Sequence, residues 1–167
     1  MRILAPDKHP AVRSVGKNLS VTLEDVTFEW LDGNNHHRLI VPAGFLFDGA
    51  SIPWALWSAL RLAPHGAMDG PALAHDFIYH HRGDMPPGSY QLKTANGWFD
   101  MLSPLRRDVA DDMLKALVVH FKAAGKVRAS LVWAGVRVGG WYAWRRDDDG
   151  RKLAEFDTVF EETIERS

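Results

Sequence analysis

The residues best suited to chemistry stand in the stretch HDFIY (residues 75–79), inside an apolar run over residues 70–83. In a helix, His75 and Tyr79 are four residues apart and share one face, whereas Asp76 is turned by about 100 degrees. One helical turn can therefore present His75 to a water molecule and Asp76 to a neighbouring ion. Because the pKa of imidazole lies near neutrality, the stretch indicates acid–base chemistry.

Further carboxylates for this site come from other parts of the chain. Arg107 and Asp111 are four residues apart on a later predicted helix. If that helix packs against the first, Asp111 can accept a hydrogen bond from one ring nitrogen of His75 and leave the other as base. Asp48, in an upstream loop that contains glycine, can add a hard oxygen ligand beside Asp76, as Ca²⁺ prefers. The sequence thus predicts a His75–Asp111 dyad and a calcium site.

Each of these residues also has a purely structural interpretation. His75 and Asp76 can form a satisfied polar pair within a helix, and Asp48 can stabilise a turn. Asp111 has acidic neighbours on both sides, which are also typical of a solvated helix face. Tyr79 can belong to the core, with its hydroxyl on a buried carboxylate. The spacing of the candidate partners favours the functional interpretation.

Composition limits the kind of protein. The chain has 167 residues, 46% of them apolar and 25% charged, which is typical of one soluble globular domain. The formal net charge of −1 argues against broad binding to nucleic acid. The absence of cysteine excludes disulfides and is compatible with a reducing cytosol. The N-terminus does not resemble a signal peptide, and Arg137 interrupts the best candidate span, so we expect no integral membrane protein.

Alternation of apolar and polar residues predicts β-structure near the N-terminus. Residues 19–30 carry apolar side chains at every second position, with a slip near Glu24 that indicates a bulge. A turn signal at residues 32–35 and the apolar residues after it predict a hairpin over Val21–Val41. Residues 82–97 are rich in glycine and proline, which favours a mobile loop.

The remainder of the sequence favours helices. A short helix is expected from Pro53, and the next, over about residues 70–81, carries HDFIY. A longer one is predicted from Ser103 to Ala124, and residues 127–144 are apolar nearly all round, which suggests a buried helix. A C-terminal amphipathic helix is indicated by apolar residues at helical spacing among acidic ones, at Leu153, Phe156, Phe160 and Ile164.

These elements predict an α+β fold that is mainly α, with antiparallel helices that carry the HDFIY stretch. An N-terminal β-hairpin and the C-terminal amphipathic helix complete it. Residues 1–144 are expected to form a single domain, and residues 145–167 a hinge and the last helix. Because the apolar seam of that helix is too narrow to fold alone, we expect it to bind another chain, either a second copy or a different protein.

The motifs of the candidate site resemble those of phospholipase A2 enzymes. HDFIY matches the H-D-x-x-Y signature, DGAS (residues 48–51) is similar to the D-G-C-S stretch of the microbial branch, and RRDVADDML (residues 106–114) resembles the later helix. The resemblance implies a phospholipase A2-like core. It also implies that Ala50 and Ala72, which stand where that family has two linked cysteines, are neighbours.

A second resemblance covers about residues 41–144. VPAGFLFDGASIPWALW, GPALAHDFIY, RRDVADDML and GVRVGGWYAW occur in this order, as in a family of small proteins from phages and prophages known as a domain of unknown function. Phe47 replaces the threonine that is usual in the first block. The resemblance implies a phage setting, in the virion or in the cytoplasm of the bacterial host.

Three functions follow as hypotheses. In the leading one, His75 is the general base, Asp111 orients it, and Tyr79 supports a carboxylate, while Asp76 and Asp48 hold a Ca²⁺ that assists hydrolysis of a phospholipid or other ester. Alternatively, the chain is a structural or assembly protein of the virion tail or baseplate without catalysis. A third possibility is a small factor that binds and inhibits a host protein.

Overall fold

Two antiparallel sheets and three helices make up the part of the chain that the structure, a computed structural model, describes: residues 1–16, 19–48 and 66–145. The five-stranded sheet has the order β1-β4-β5-β7-β8, and the three-stranded sheet has the order β2-β3-β6. In chain order the elements are β1 (Arg2–Ala5), β2 (Val12–Gly16), β3 (Leu19–Thr22), β4 (Val26–Asp32), β5 (Asn35–Val41), β6 (Leu46–Phe47), α1 (Asp69–His80), β7 (Tyr90–Thr94), β8 (Gly97–Asp100), α2 (Arg107–His120) and α3 (Lys126–Arg145).

The prediction of a mainly α fold is wrong, because eight strands lie in the described part of the chain. The segment interpreted as a loop, residues 82–97, leads into the β7–β8 hairpin. Apart from Gly97 at the start of β8, its glycine and proline residues lie before Tyr90. From Tyr90 onward β7 pairs with β5, where Arg38 lies opposite Gln91. This pairing joins residues far apart in the sequence, so local composition does not reveal it.

The predicted hairpin is confirmed as β4 and β5. Val26, Phe28 and Trp30 are buried at alternate positions of β4, and Gly33 makes the turn with a φ of +58°. The slip at Glu24 is not a bulge within one strand. It is the break between β3 and β4, which belong to different sheets.

The main core lies between the five-stranded sheet and the first two helices. Apolar side chains of β4 and β5 pack against one side of α1 and α2, and burial of each large side chain contributes about 1.5–3 kcal/mol. Leu73, Phe77, Ile78, Met113 and Leu117 are the chief helical members of this cluster. A second cluster joins α2 to α3 through Leu114, Val118, Ala129, Val132 and Val136.

The helix predictions succeed for α1 and need correction for the other two. α2 begins at Arg107, after the extended residue Arg106, rather than at Ser103. α3 has nearly the predicted bounds but is not buried all round: Val127 is 77% exposed and Val138 is 83% exposed. Only one side of α3 packs against α2, so an apolar sequence does not ensure burial on every face.

Some predictions lie outside the described residues. These concern the helix from Pro53, the position of Ala50 beside Ala72, and the C-terminal helix with its hinge, of which only Arg145, the last residue of α3, is described. Within the three described ranges, no helix is both long and apolar enough to cross a membrane.

Gly83 ends α1 and positions the chain that leads to α2. Its N–H donates to the carbonyl of Ile78 (3.0 Å), and its carbonyl accepts from the N–H of Leu105 (2.8 Å). Its φ is +79°, and a Cβ added there would overlap the carbonyl oxygen of Leu105. Glycine is thus required here by conformation and by space.

We expect Gly83→Ala to lower the free energy of unfolding by more than about 2 kcal/mol, measured by urea denaturation. Gly88→Ala is the matched control, since Gly88 has a φ of +81° but open space around its Cβ position. The control should lose only about 1 kcal/mol, the cost of a left-handed backbone. Equal losses in the two variants would show that the contact with Leu105 is unimportant.

Candidate active site

Helix α1 positions the candidate site because it is surrounded by other elements. Every residue from Asp69 to Tyr79 is buried, and the helix contacts α2, β5 and β6. Besides Tyr79, three of these buried residues, Asp69, His75 and Asp76, are polar or ionisable. A buried ionisable group is costly unless it is paired, so the contacts of these side chains are structurally essential.

His75 and Asp111 are brought together, as their spacing on two helices predicts. Nε2 of His75 lies 3.4 Å from Oδ1 of Asp111, slightly beyond the 2.6 to 3.2 Å of a strong direct hydrogen bond. The residues are 1% and 0% exposed, respectively. An ionised Asp111 accepts from Nε2–H, so a neutral His75 has its lone pair on Nδ1.

The other ring nitrogen of His75 faces a second carboxylate. Nδ1 lies 3.7 Å from Oδ1 of Asp76, so the imidazole stands between two acidic side chains. Asp48 directly follows β6, a strand that contacts α1, and is half-buried. The calcium-binding role of Asp76 and Asp48 stays a prediction. In the described ranges, no group of three or more His, Asp or Glu side chains is arranged to hold a metal ion.

Two further donors hold the carboxylate of Asp111. The hydroxyl of Tyr79 donates to Oδ1 over 2.6 Å, and Nη1 of Arg137 donates to Oδ2 over 3.2 Å. Tyr79 therefore supports a carboxylate, as the sequence suggests. The carboxylate of Asp111 on α2 thus has partners from both other helices: His75 and Tyr79 from α1, and Arg137 from α3.

Helix α3 supplies site residues that the sequence interpretation missed. Besides Arg137, Trp144 packs edge-on against Tyr79 with ring centroids 4.9 Å apart. Gly140 faces the same ring, and a Cβ at this position would overlap the Tyr79 hydroxyl. Arg107 donates from Nη1 to the carbonyl oxygen of Arg137 over 3.2 Å. The signal was present in the GVRVGGWYAW block, where residues 137, 140 and 144 share one helix face.

Opposing effects set the ionisation of this cluster. Burial lowers the pKa of His75, but the hydrogen bonds to Asp111 and Asp76 raise it by more than burial lowers it. The resulting pKa is therefore above the ordinary 6.5. Burial raises the pKa of Asp111, whereas bonds from His75, Tyr79 and Arg137 bring it below the ordinary 3.8. Burial and the bond to Asp111 raise the pKa of Tyr79, which remains a hydroxyl donor.

The fold and the cluster define the class of protein: an α+β fold with antiparallel sheets, in which a partly exposed arginine joins a buried His–Asp–Tyr cluster between three helices. The chain belongs to the family described as Protein of unknown function (DUF1353), whose family model matches residues 23–136. The prediction of a domain-of-unknown-function family is therefore confirmed. The matched range includes His75 and Asp111. No curated protein and no solved structure matches the chain.

Replacement of Gly140 should test the support of Tyr79. We expect Gly140→Ala to destabilise the protein by about 1–3 kcal/mol, because the new methyl group displaces the Tyr79 hydroxyl from Asp111. The neighbouring Gly139→Ala is the control. Gly139 is exposed on the same helix, so this change should stabilise the protein by up to about 1 kcal/mol through helix propensity. An increase in stability in both variants would contradict the close approach of Gly140 to the Tyr79 hydroxyl.

The raised pKa of His75 predicts a pH-dependent stability. Its contribution is complete below the unfolded pKa of 6.5 and is lost as pH rises through the higher folded pKa. We therefore expect the difference in melting temperature between the parent and His75→Gln to be smaller at about pH 9 than at about pH 6. Both proteins are measured in buffer that contains a metal chelator. Subtraction of the variant removes the titration of the other histidines. A difference that grows with pH would contradict the assignment.

Proposed function

We propose that the protein is a hydrolase in which His75 activates water for attack on an ester of the phospholipid type. The observation that carries the proposal is the placement of the imidazole between Asp111 at Nε2 and Asp76 at Nδ1. Asp111 is fixed by Tyr79 and Arg137, so it can hold the ring in one orientation and tautomer. This is the arrangement that a histidine base requires.

The chemistry uses one proton in both steps. Nδ1 of His75 accepts a proton from water while the water oxygen forms a bond with the ester carbonyl carbon. The tetrahedral intermediate then loses the alcohol as its C–O bond breaks, and the imidazolium returns the proton to that oxygen. Asp111 stabilises the imidazolium between the steps. Because the pKa of His75 is above 6.5, the rate should rise with pH through that pKa.

The burial of the side chains around His75 limits how water and substrate can reach its imidazole. The His75 side chain is 1% exposed, whereas that of Asp76 is 9% exposed. In this proposal, water and substrate approach past Asp76, on the Nδ1 side of the ring. The opposite side of the ring faces Asp111, which is 0% exposed.

We include Ca²⁺ in the proposal because the available donors are hard oxygens. Asp76 would hold the ion beside Nδ1 of His75, with Asp48 as a second carboxylate. Backbone carbonyls or waters would complete its coordination. When bound, the ion would polarise the ester carbonyl and stabilise developing negative charge.

A phage or prophage setting forms part of the proposal and is supported by the order of the four sequence blocks. In that setting a second function, a noncatalytic virion or assembly protein, is favoured by a different observation. His75 and Asp111 are almost completely enclosed, and a polar cluster of this kind can fix the packing of three helices without reacting. Inhibition of a host protein has no separate support in the described contacts.

Release of fatty acid from phosphatidylcholine–phosphatidylglycerol vesicles tests the two functions. We expect hydrolysis in Ca²⁺ and a loss of at least about 100-fold in His75→Gln and in Asp111→Asn, because the base or its orientation is removed. Asp76→Asn should lose the stimulation by Ca²⁺. Each variant is compared at a temperature where circular dichroism shows it to be folded.

His36→Gln is the matched control, because His36 contacts Glu29 on the sheet, away from the cluster. It should retain the parent rate. Absence of fatty-acid release from the parent, or equal rates in the parent and His75→Gln, would refute the ester hydrolase. Stimulation by Ca²⁺ that persists in Asp76→Asn would refute the calcium site alone.

A further inference from the structure

Helix α3 has an exposed apolar stripe on the side opposite the second core cluster. Val127, Leu131, Ala134 and Val138 are all exposed, Val127 and Val138 by 77% and 83%. At 100 degrees per residue these four positions fall within about 60 degrees around the helix. The buried residues Ala129, Val132 and Val136 occupy the opposite side. A continuous exposed row of this kind is typical of a binding surface.

We propose that the exposed stripe of α3 binds the C-terminal segment, residues 151–167, of the same chain. This segment predicts an amphipathic helix whose seam consists of Leu153, Phe156, Phe160 and Ile164. The inference is independent of the proposed hydrolase. It differs from the expectation that the segment binds another chain, because that expectation did not include an open apolar face on α3.

The order of the apolar residues along the exposed stripe and along the seam of the segment supports a helical hairpin. With the intervening residues as the turn, an antiparallel segment places Phe156 opposite Val138, Phe160 opposite Ala134, and Ile164 opposite Leu131. The seam from residue 153 to 164 is about 16.5 Å long in a helix. In this register it lies opposite residues 131–141, which end at the half-exposed Trp141 and span about 15 Å. The bulky Phe160 thus meets the smallest member of the stripe, as interdigitated packing requires.

The charges of α3 and of the C-terminal segment also favour binding between them. Between Lys126 and Arg145, α3 contains four basic residues and no acidic residue. Residues 146–167 contain eight acidic and four basic residues. Lys126 and Arg128 are exposed at the beginning of α3. The antiparallel arrangement brings to them the end of the segment, where Glu161, Glu162 and Glu165 outnumber the single basic residue Arg166. Opposite charges at this end favour the antiparallel over the parallel direction.

The absence of cysteine from the chain allows a direct test by disulfide formation. In the full chain, Val138→Cys with Phe156→Cys places one thiol on the exposed stripe and one on the seam. We expect both positions to tolerate the change, since Val138 is on the surface and three seam residues of the segment remain. If the segment docks, the two thiols should come close enough to reach the Cβ separation of about 4 Å that a disulfide requires.

The matched control combines Val138→Cys with Thr158→Cys, because residue 158 faces away from the seam of the predicted helix. We expect an intramolecular disulfide that forms at least about tenfold faster in the seam pair and at a rate independent of protein concentration. Non-reducing electrophoresis and thiol titration measure both. Equal rates in the two pairs, or no disulfide in the seam pair, would overturn the proposal. A disulfide-linked dimer as the main product at low concentration would assign the stripe to a second copy instead.

Discussion

The packing of the three helices depends on one buried carboxylate, that of Asp111. An ionised group with 0% exposure loses its hydration, at a cost of several kcal/mol, unless its partners replace that hydration. His75 and Tyr79 come from α1, and Arg137 comes from α3. Because each donor must reach the same pair of oxygens, the cluster sets how far α1 and α3 can slide or rotate relative to α2. The contacts that fix the orientation of His75 thus also define how the three helices pack.

The cluster also extends from the interior to the surface. The guanidinium of Arg137 lies 5.4 Å from the ring centroid of Trp133, and Nε1 of that indole donates to Asp112 over 2.8 Å. Lys115 stands 5.2 Å from the centroid of the same ring. Since the Arg137 side chain is 34% exposed, one end of the buried network meets solvent. Its contribution is therefore partly screened, and His75 and Tyr79 provide the enclosed part.

Local signals in the sequence identify local structure well and leave longer-range pairing undetermined. The positions of His75 and Tyr79 on α1, and the β4–β5 hairpin, follow from helical spacing and a turn between two apolar runs. The proximity of Asp111 requires only that two neighbouring helices pack together. By contrast, β7 and β8 are strands because β7 finds β5 as a partner across a long stretch of chain. The role of Arg137 is equally nonlocal, since only the packing of α3 brings its guanidinium to Asp111.

Helix α3 shows how the cluster and the surface constrain each other. Residues 137, 140 and 144 face the cluster, whereas Val127, Leu131 and Val138 lie on the exposed side. α3 packs against α2 along one side only, and the chain has no disulfide to fix it there. A partner that binds only the packed position of α3 therefore stabilises the contacts of Arg137 and Gly140 by mass action, without touching either residue. In this fold a single helix thus carries an apolar face on its outer side and contacts with an inner carboxylate on its inner side.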